Sequence, residues 1–148
     1  MKTNIQLKAI VLGCIISLMF GCVKTKQVAV MNKNKVIVEK YMEGFNAGDH
    51  AKILSCLTED VIWELPGVYY HVGKEAFDKE IENEGFTGKP IIKVTRIIEE
   101  NNVVIAEGTV QATKKDGTIL NLVFCDVFEM ENSLIKKLTS YLMPISTA

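Results

Sequence analysis

The sequence predicts an α+β domain in which a curved antiparallel sheet wraps partly around three helices that precede it. Three observations predict this class. Apolar residues recur at three-to-four spacing between residues 35 and 84, four runs rich in Val, Ile, Thr and Phe follow between 91 and 143, and only short turn segments join those runs. With 148 residues, 48% hydrophobic and 24% charged, and three prolines, the chain can build one core but not two. Its 17 basic and 18 acidic residues nearly balance, so the positive field that nucleic-acid binding requires is missing.

Residues 1–21 read as an address and not as fold. Lys2 and Lys8 give a positive start, the stretch from Ala9 to Val23 is uncharged and apolar apart from Ser17, and it ends in Phe20-Gly21-Cys22. That is a secretory signal in outline, too short for a permanent membrane-crossing helix. Gly21-Cys22 resembles the bacterial lipobox, in which the Cys sulfur receives a diacylglycerol group and becomes the new N-terminus. Met19 stands where that motif usually has Leu, and Phe20 where it has a small residue. Cleavage by an ordinary signal peptidase, or an uncleaved anchor, are the alternatives. With lipidation at Cys22, buried acyl chains at about 0.8 kcal/mol per CH₂ would hold the domain on a membrane of the bacterial envelope. Losing residues 1–21 removes two lysines and no acid, leaving 15 basic against 18 acidic residues. Residues 22–34, polar and lysine-bearing, suit a flexible tether, and the domain is expected over 35–145. Cys56 and Cys125 lie in apolar segments and are expected as unpaired small core residues.

The helices come first. From Lys35 to Asn46, Val36, Ile37, Tyr41, Met42 and Phe45 mark one buried face. Asn46-Ala47-Gly48-Asp49 stops that helix, and Asp49 caps a second whose inner face is Ala51, Ile53, Leu54 and Leu57, closed by Thr58-Glu59-Asp60. Val61 to Leu65 alternates as a strand that Pro66-Gly67 ends. A loop through Tyr69, Tyr70 and His71 leads to a third helix over 74–84, burying Ala76, Phe77 and Ile81. Strands follow at 91–98, 103–113, 118–130 and 134–143, and their short connections demand antiparallel neighbours.

One position breaks the pattern. Every second residue of the third long strand reads Leu120, Leu122, Phe124, Asp126, Phe128, Met130, so a carboxyl points where the phenylalanines point. There it is costly unless protonated, paired or hydrogen-bonded, which makes Asp126 either a structural hub or a functional acid with a raised pKa. Tyr41 brings a phenol to the interior from the first helix, as a core aromatic or as a donor. His71 is placed to act as a base near neutral pH if its loop borders a cavity; His50, beside the Asp49 cap, reads as surface. Trp63 shares its face with Val61 and Leu65 as a wall, and Tyr69 and Tyr70 read as rim. No Gly-rich phosphate loop, Cys-x-x-Cys pair or zinc spacing is present, so no cofactor or metal is implied.

The order YMEGFNAGD (41–49), LTEDVIWELPG (57–67), VGKEAF (72–77) and the final hairpin with Asp126 resembles the SnoaL-like branch of the NTF2-like superfamily, which includes the ketosteroid isomerases. The resemblance covers about residues 33–143. It implies a cone of curved sheet closed by three helices around a deep apolar pocket, often assembled as a homodimer. It also implies that Tyr41 and Asp126 match the two oxyanion donors of the isomerases, while the proton-shuttling aspartate of that family is here Leu65. A leucine accepts no proton, and Glu64 beside it faces the other way by strand alternation. The expectation is therefore a binding module for a small hydrophobic molecule, lined by Val61, Trp63, Leu65, Phe77, Phe124 and Phe128, with Tyr41 and Asp126 reading a carbonyl or hydroxyl. The alternatives are a cofactor-independent isomerase, cyclase or dehydratase using Asp126 or His71, and an envelope protein-interaction module with a filled cone.

Overall fold

The computed structural model describes residues 22–82 and 84–145, with side chains described from Lys33 onward. The signal segment, and the side chain of the lipidation candidate Cys22, lie outside the described residues.

Helix α1 spans Cys22–Ala47, so it runs through the stretch expected as tether and starts well before Lys35. Neither Pro nor Gly interrupts the chain between Cys22 and Gly44, which leaves the helix free to extend. The packed part reaches back at least to Asn34, a buried side chain whose Nδ2 donates to Glu99 Oε1 at 3.1 Å. Val38, Tyr41 and Met42 form the buried face, with Phe45 packed against them. Val36, expected on that face, is 57% exposed. Two residues back from Val38 is about 200° around the helix, and that turn carries it to solvent.

Gly48, at φ +62°, ends α1, and Asp49 Oδ1 accepts from the Lys52 amide at 2.9 Å to start α2 (His50–Leu54). At Gly44 a Cβ would stand 2.7 Å from Ile53 Cγ1, so the two helices approach as closely as they do because that residue has no side chain.

Strand β1 covers Leu57–Leu65 and starts earlier than expected. Leu57 and Thr58-Glu59-Asp60 belong to it and not to a helix, because Leu57 pairs with Ile135 and the Ile135 amide donates to the Cys56 carbonyl at 2.8 Å. Distant pairing overrides the local helical spacing. After Pro66-Gly67 the chain makes a second strand, β2 (Tyr69–Val72), antiparallel to β1, where a loop was expected. Its Tyr69 and His71 are half-buried while Tyr70 and Val72 are exposed, a period-two pattern only four residues long. Helix α3 (Lys74–Ile81) is shorter than its expected reach to residue 84 and buries Phe77.

The long strands are β3 (Phe86–Glu100), β4 (Val103–Lys114), β5 (Ile119–Glu131) and β6 (Leu134–Pro144). Each pairs antiparallel with the next, as their short turns require. The sheet order is β2-β1-β6-β5-β4-β3, so β1 inserts beside β6, and that pair is parallel. The sheet is mixed, and the α+β class holds. Val104, Ala106, Phe124, Phe128, Ile135 and Leu138 on its inner face pack against Val38, Tyr41, Met42 and Phe77 from the helices.

Candidate functional site

Alternation along β5 places Phe124, Asp126, Phe128 and Met130 on the inner face, and the two phenylalanines and the methionine are buried there. Asp126 keeps some surface as a residue, but its Oδ1 is sealed from solvent and has no hydrogen-bond partner among the described residues. Opposite it stand Ala106 on β4 and Ser140 on β6. Burial pushes the Asp126 carboxyl up to about 7, held back partly by a hydrogen bond with Ser140. The group is therefore divided between neutral acid and carboxylate at neutral pH.

Tyr41 is 2% exposed, with its ring 5.0 Å from Phe45, 5.4 Å from Phe128 and 6.3 Å from Phe77 between centroids. Burial, and after it the charge of Asp126, raise its phenol well above the ordinary range. Tyr69 is raised by burial first, then by Glu80 and Asp126. Two phenols from α1 and β2 thus share the field of one carboxyl from β5. Sequence spacing places Tyr41 and Asp126 on inward faces; that the carboxyl's charge reaches the phenol is a property of the fold.

Tyr69 reads from sequence only as a rim residue, and it joins the group because β2 is a strand that turns it inward opposite Leu65. Its signal is the alternation of Tyr69, Tyr70, His71 and Val72 directly after Pro66-Gly67. Ser140 carries no such signal: only register puts it beside Asp126, and only tertiary packing brings the Trp63 indole to it, Nε1 donating to Ser140 Oγ at 3.2 Å.

Rings fill the surroundings. Trp63 stacks on Phe77 at 4.5 Å and meets Phe45 and Tyr69 edge-on at 6.1 and 5.4 Å. Tyr69 in turn stacks on His71 at 4.7 Å. His71 lies opposite Trp63 in the hairpin, with Nε2 3.3 Å from Glu80 Oε2. Of the six expected lining residues, Val61, Phe77, Phe124 and Phe128 are buried, whereas Trp63 and Leu65 keep partial surface. Two clefts lie away from this interior: one of about 330 Å³ on the outer face of the sheet, bordered by Glu107, Thr109, Cys125 and Tyr141, and one of about 300 Å³ beside Lys33, Val36, Ile37 and Ser133.

Glu64 points outward and pairs with Lys137 at 2.8 Å, so it does not replace the base that Leu65 lacks. His50 bridges α2 to α3, its Nδ1 2.6 Å from Asp78 Oδ1 and its Nε2 3.3 Å from Glu82 Oε1. Cys56 and Cys125 are both free.

Residues 38–138 match the SnoaL-like domain family. Among solved structures, the chain is similar to a LEH-like epoxide hydrolase from M. tuberculosis, at 18% identity over 77% of this chain and 85% of that one, with a TM-score of 0.69. It is similar to an NTF2-like protein of unknown function from Burkholderia pseudomallei, at 20% identity over 75% and 91% of the two chains, with a TM-score of 0.71. A candidate ketosteroid isomerase from Kribbella flavida matches at 20% identity over 80% and 83%, with a TM-score of 0.65. At these identities the likeness is one of fold. A comparison with curated proteins finds no match.

Proposed function

The chain belongs to the SnoaL-like domain family, and on that premise we propose that its domain binds a small, largely hydrophobic molecule between helices and sheet, with Asp126 and Tyr41 reading a carbonyl or hydroxyl oxygen. One observation carries the reading: the sealed, unpartnered Oδ1 of Asp126, beside two phenols and among stacked rings. A bare buried polar atom costs about 1–3 kcal/mol, which a ligand's polar group would offset. The rings would supply the apolar contact that ligand sites generally have. Access falls to the β1–β2 end, where Trp63, Leu65, Tyr69 and His71 keep surface, and entry requires those rings to move.

Trp63 is the sole tryptophan in the sequence and sits in this wall, so its fluorescence reports on occupancy. Titration with 2-acetylnaphthalene as a flat apolar ketone is expected to change Trp63 emission saturably in the wild type and far more weakly in Asp126→Ala. Equal binding by both, or no saturable change in either, would overturn the reading. Native mass spectrometry of protein purified without refolding identifies any retained ligand by its extra mass.

A second reading is a cofactor-independent isomerase, cyclase or dehydratase, supported by His71 held near Glu80 on the strand beside Leu65 and by the divided protonation of Asp126. It expects Asp126→Asn to abolish turnover and Leu65→Asp to raise it. The dense ring packing supports a third, an envelope interaction module with a filled cone. Export and lipid attachment at Cys22 rest on the apolar run and Gly21-Cys22; palmitate labelling that survives Cys22→Ala would exclude Cys22 as the acceptor, and retention of the protein in the cytoplasm would exclude export. Homodimer formation is supported by Tyr141 and Met143, 51% and 64% exposed on the sheet's outer face.

A further inference from the structure

We propose that Ser140 is a positioning residue for Asp126: the Trp63 indole holds its hydroxyl so that one carboxyl oxygen is tied to β6, and Oδ1 alone is presented to a bound molecule. The proposal rests on the reading of Asp126 as the polar anchor and says how that anchor is aimed.

An indole N–H can only donate, so at 3.2 Å from Trp63 Nε1 the Ser140 oxygen is the acceptor. The single hydroxyl proton of Ser140 is then left for a different partner. Ser140 is 4% exposed, which removes bulk water as that partner, and it lies directly across the β5–β6 ladder from Asp126, so the carboxyl is the acceptor that the register sets beside it. Trp63 on β1, Ser140 on β6 and Asp126 on β5 therefore form a one-way donor chain over three strands. Because Oδ1 has no partner among the described residues, the chain ends on the other carboxyl oxygen.

The arrangement fixes what the site can recognise. When Asp126 is neutral, the oxygen already accepting from Ser140 is the poorer place for the proton, so the proton resides on Oδ1 and Asp126 offers one donor. When it is ionised, Oδ1 is one acceptor. The ligand class thus depends on pH: a ketone or quinone oxygen is favoured below the midpoint near 7, and a phenol or enol hydroxyl above it. The titratable groups that sense Asp126 are Tyr41 from α1, Tyr69 from β2 and Cys125 beside it on β5. Ala106 from β4 and Ser140 from β6 carry no charge.

The test is a carbon-13 titration of the Asp126 carboxyl in the intact domain, which needs no ligand. Ser140→Ala is expected to raise the midpoint by about half a pH unit or more, since a bond favouring the carboxylate is lost. Ser140→Thr, which keeps the hydroxyl, should restore the wild-type midpoint, and Trp63→Phe, which keeps a ring but loses the N–H, should move it upward by less. If Ser140→Ala does not fold, Trp63→Phe and Ser140→Thr carry the comparison. Midpoints unchanged in Ser140→Ala and Trp63→Phe, or a Ser140→Thr midpoint displaced as far as that of Ser140→Ala, would overturn the proposal. Those outcomes leave ligand binding to its separate fluorescence test.

Discussion

Asp126 on β5 and Glu99 on β3 are both inward carboxyls, and each has one oxygen that is buried and unpartnered. Their company differs. Glu99 Oε1 accepts from the amide of Asn34, 65 residues away in sequence, a bond that fastens the start of the packed part of α1 to β3. Asp126 instead faces, across the β5–β6 ladder, a hydroxyl that is itself held by an indole, and two phenols lie within its field. A buried carboxyl alone does not mark a binding site. What separates the two regions is whether the neighbours are an inert amide bridging two elements or groups that hold and donate protons.

The largest expected effect tests Asp126. Its carboxyl is raised from 3.8 to about 7 by burial, so the folded state holds a proton that the unfolded chain has released in the window between. Stability attributable to this group is therefore greatest below about pH 4 and falls as pH rises toward 7, by about 4 kcal/mol at most. Asp126→Asn removes the titration, and thermal melts should show it more stable than the wild type at pH 8, with the gap closing toward pH 4. A gap that stays constant across that range would mean that folding does not raise the Asp126 carboxyl above its unfolded value. Next in size is Asn34→Ala, which strips Glu99 of its amide and should cost about 1–3 kcal/mol in denaturant melts. Unlike Asp126→Ala, it should leave the Trp63 fluorescence response to 2-acetylnaphthalene intact. If that response also disappears, the two regions are not separable.

The smallest effect lies outside both. Asp78, through its hydrogen bond, raises His50 from its ordinary 6.5, so this contribution to stability is fully present below about 6.5 and fades as pH rises through the raised value. His50→Gln should flatten that decline by a few tenths of a kcal/mol, since the pair is partly exposed. A wild-type and variant pair with parallel profiles would remove the bridge from the account.

The legibility of these regions in the sequence follows from the range of the interactions. Asp126 stands out because alternation in a strand is a local signal, and the interruption of an apolar stripe is visible in a window of a dozen residues. The β3–β6 meander is readable for the same reason, since turn chemistry fixes neighbours. The start of β1 at Leu57 is not, because its partner Ile135 lies at the far end of the chain and local spacing there favours a helix. Tyr69 is nearly readable, but a four-residue strand after Pro66-Gly67 looks like a loop until its partner is known. Ser140 and Trp63 are separated by 77 residues, and nothing in either neighbourhood announces the bond.

The place of β6 in the sheet, between β1 and β5, has a consequence for biogenesis. Five strands assemble around one that leaves the ribosome near the end of synthesis, so a chain paused before residue 134 has two open edges facing each other across a gap the width of a strand. Such edges invite pairing with other chains. The domain is expected to collapse late and in one step, gated by its most distant contacts. Chaperone protection should be needed until Ser140 has emerged, and the carboxyl it restrains becomes ordered with the closing of that gap.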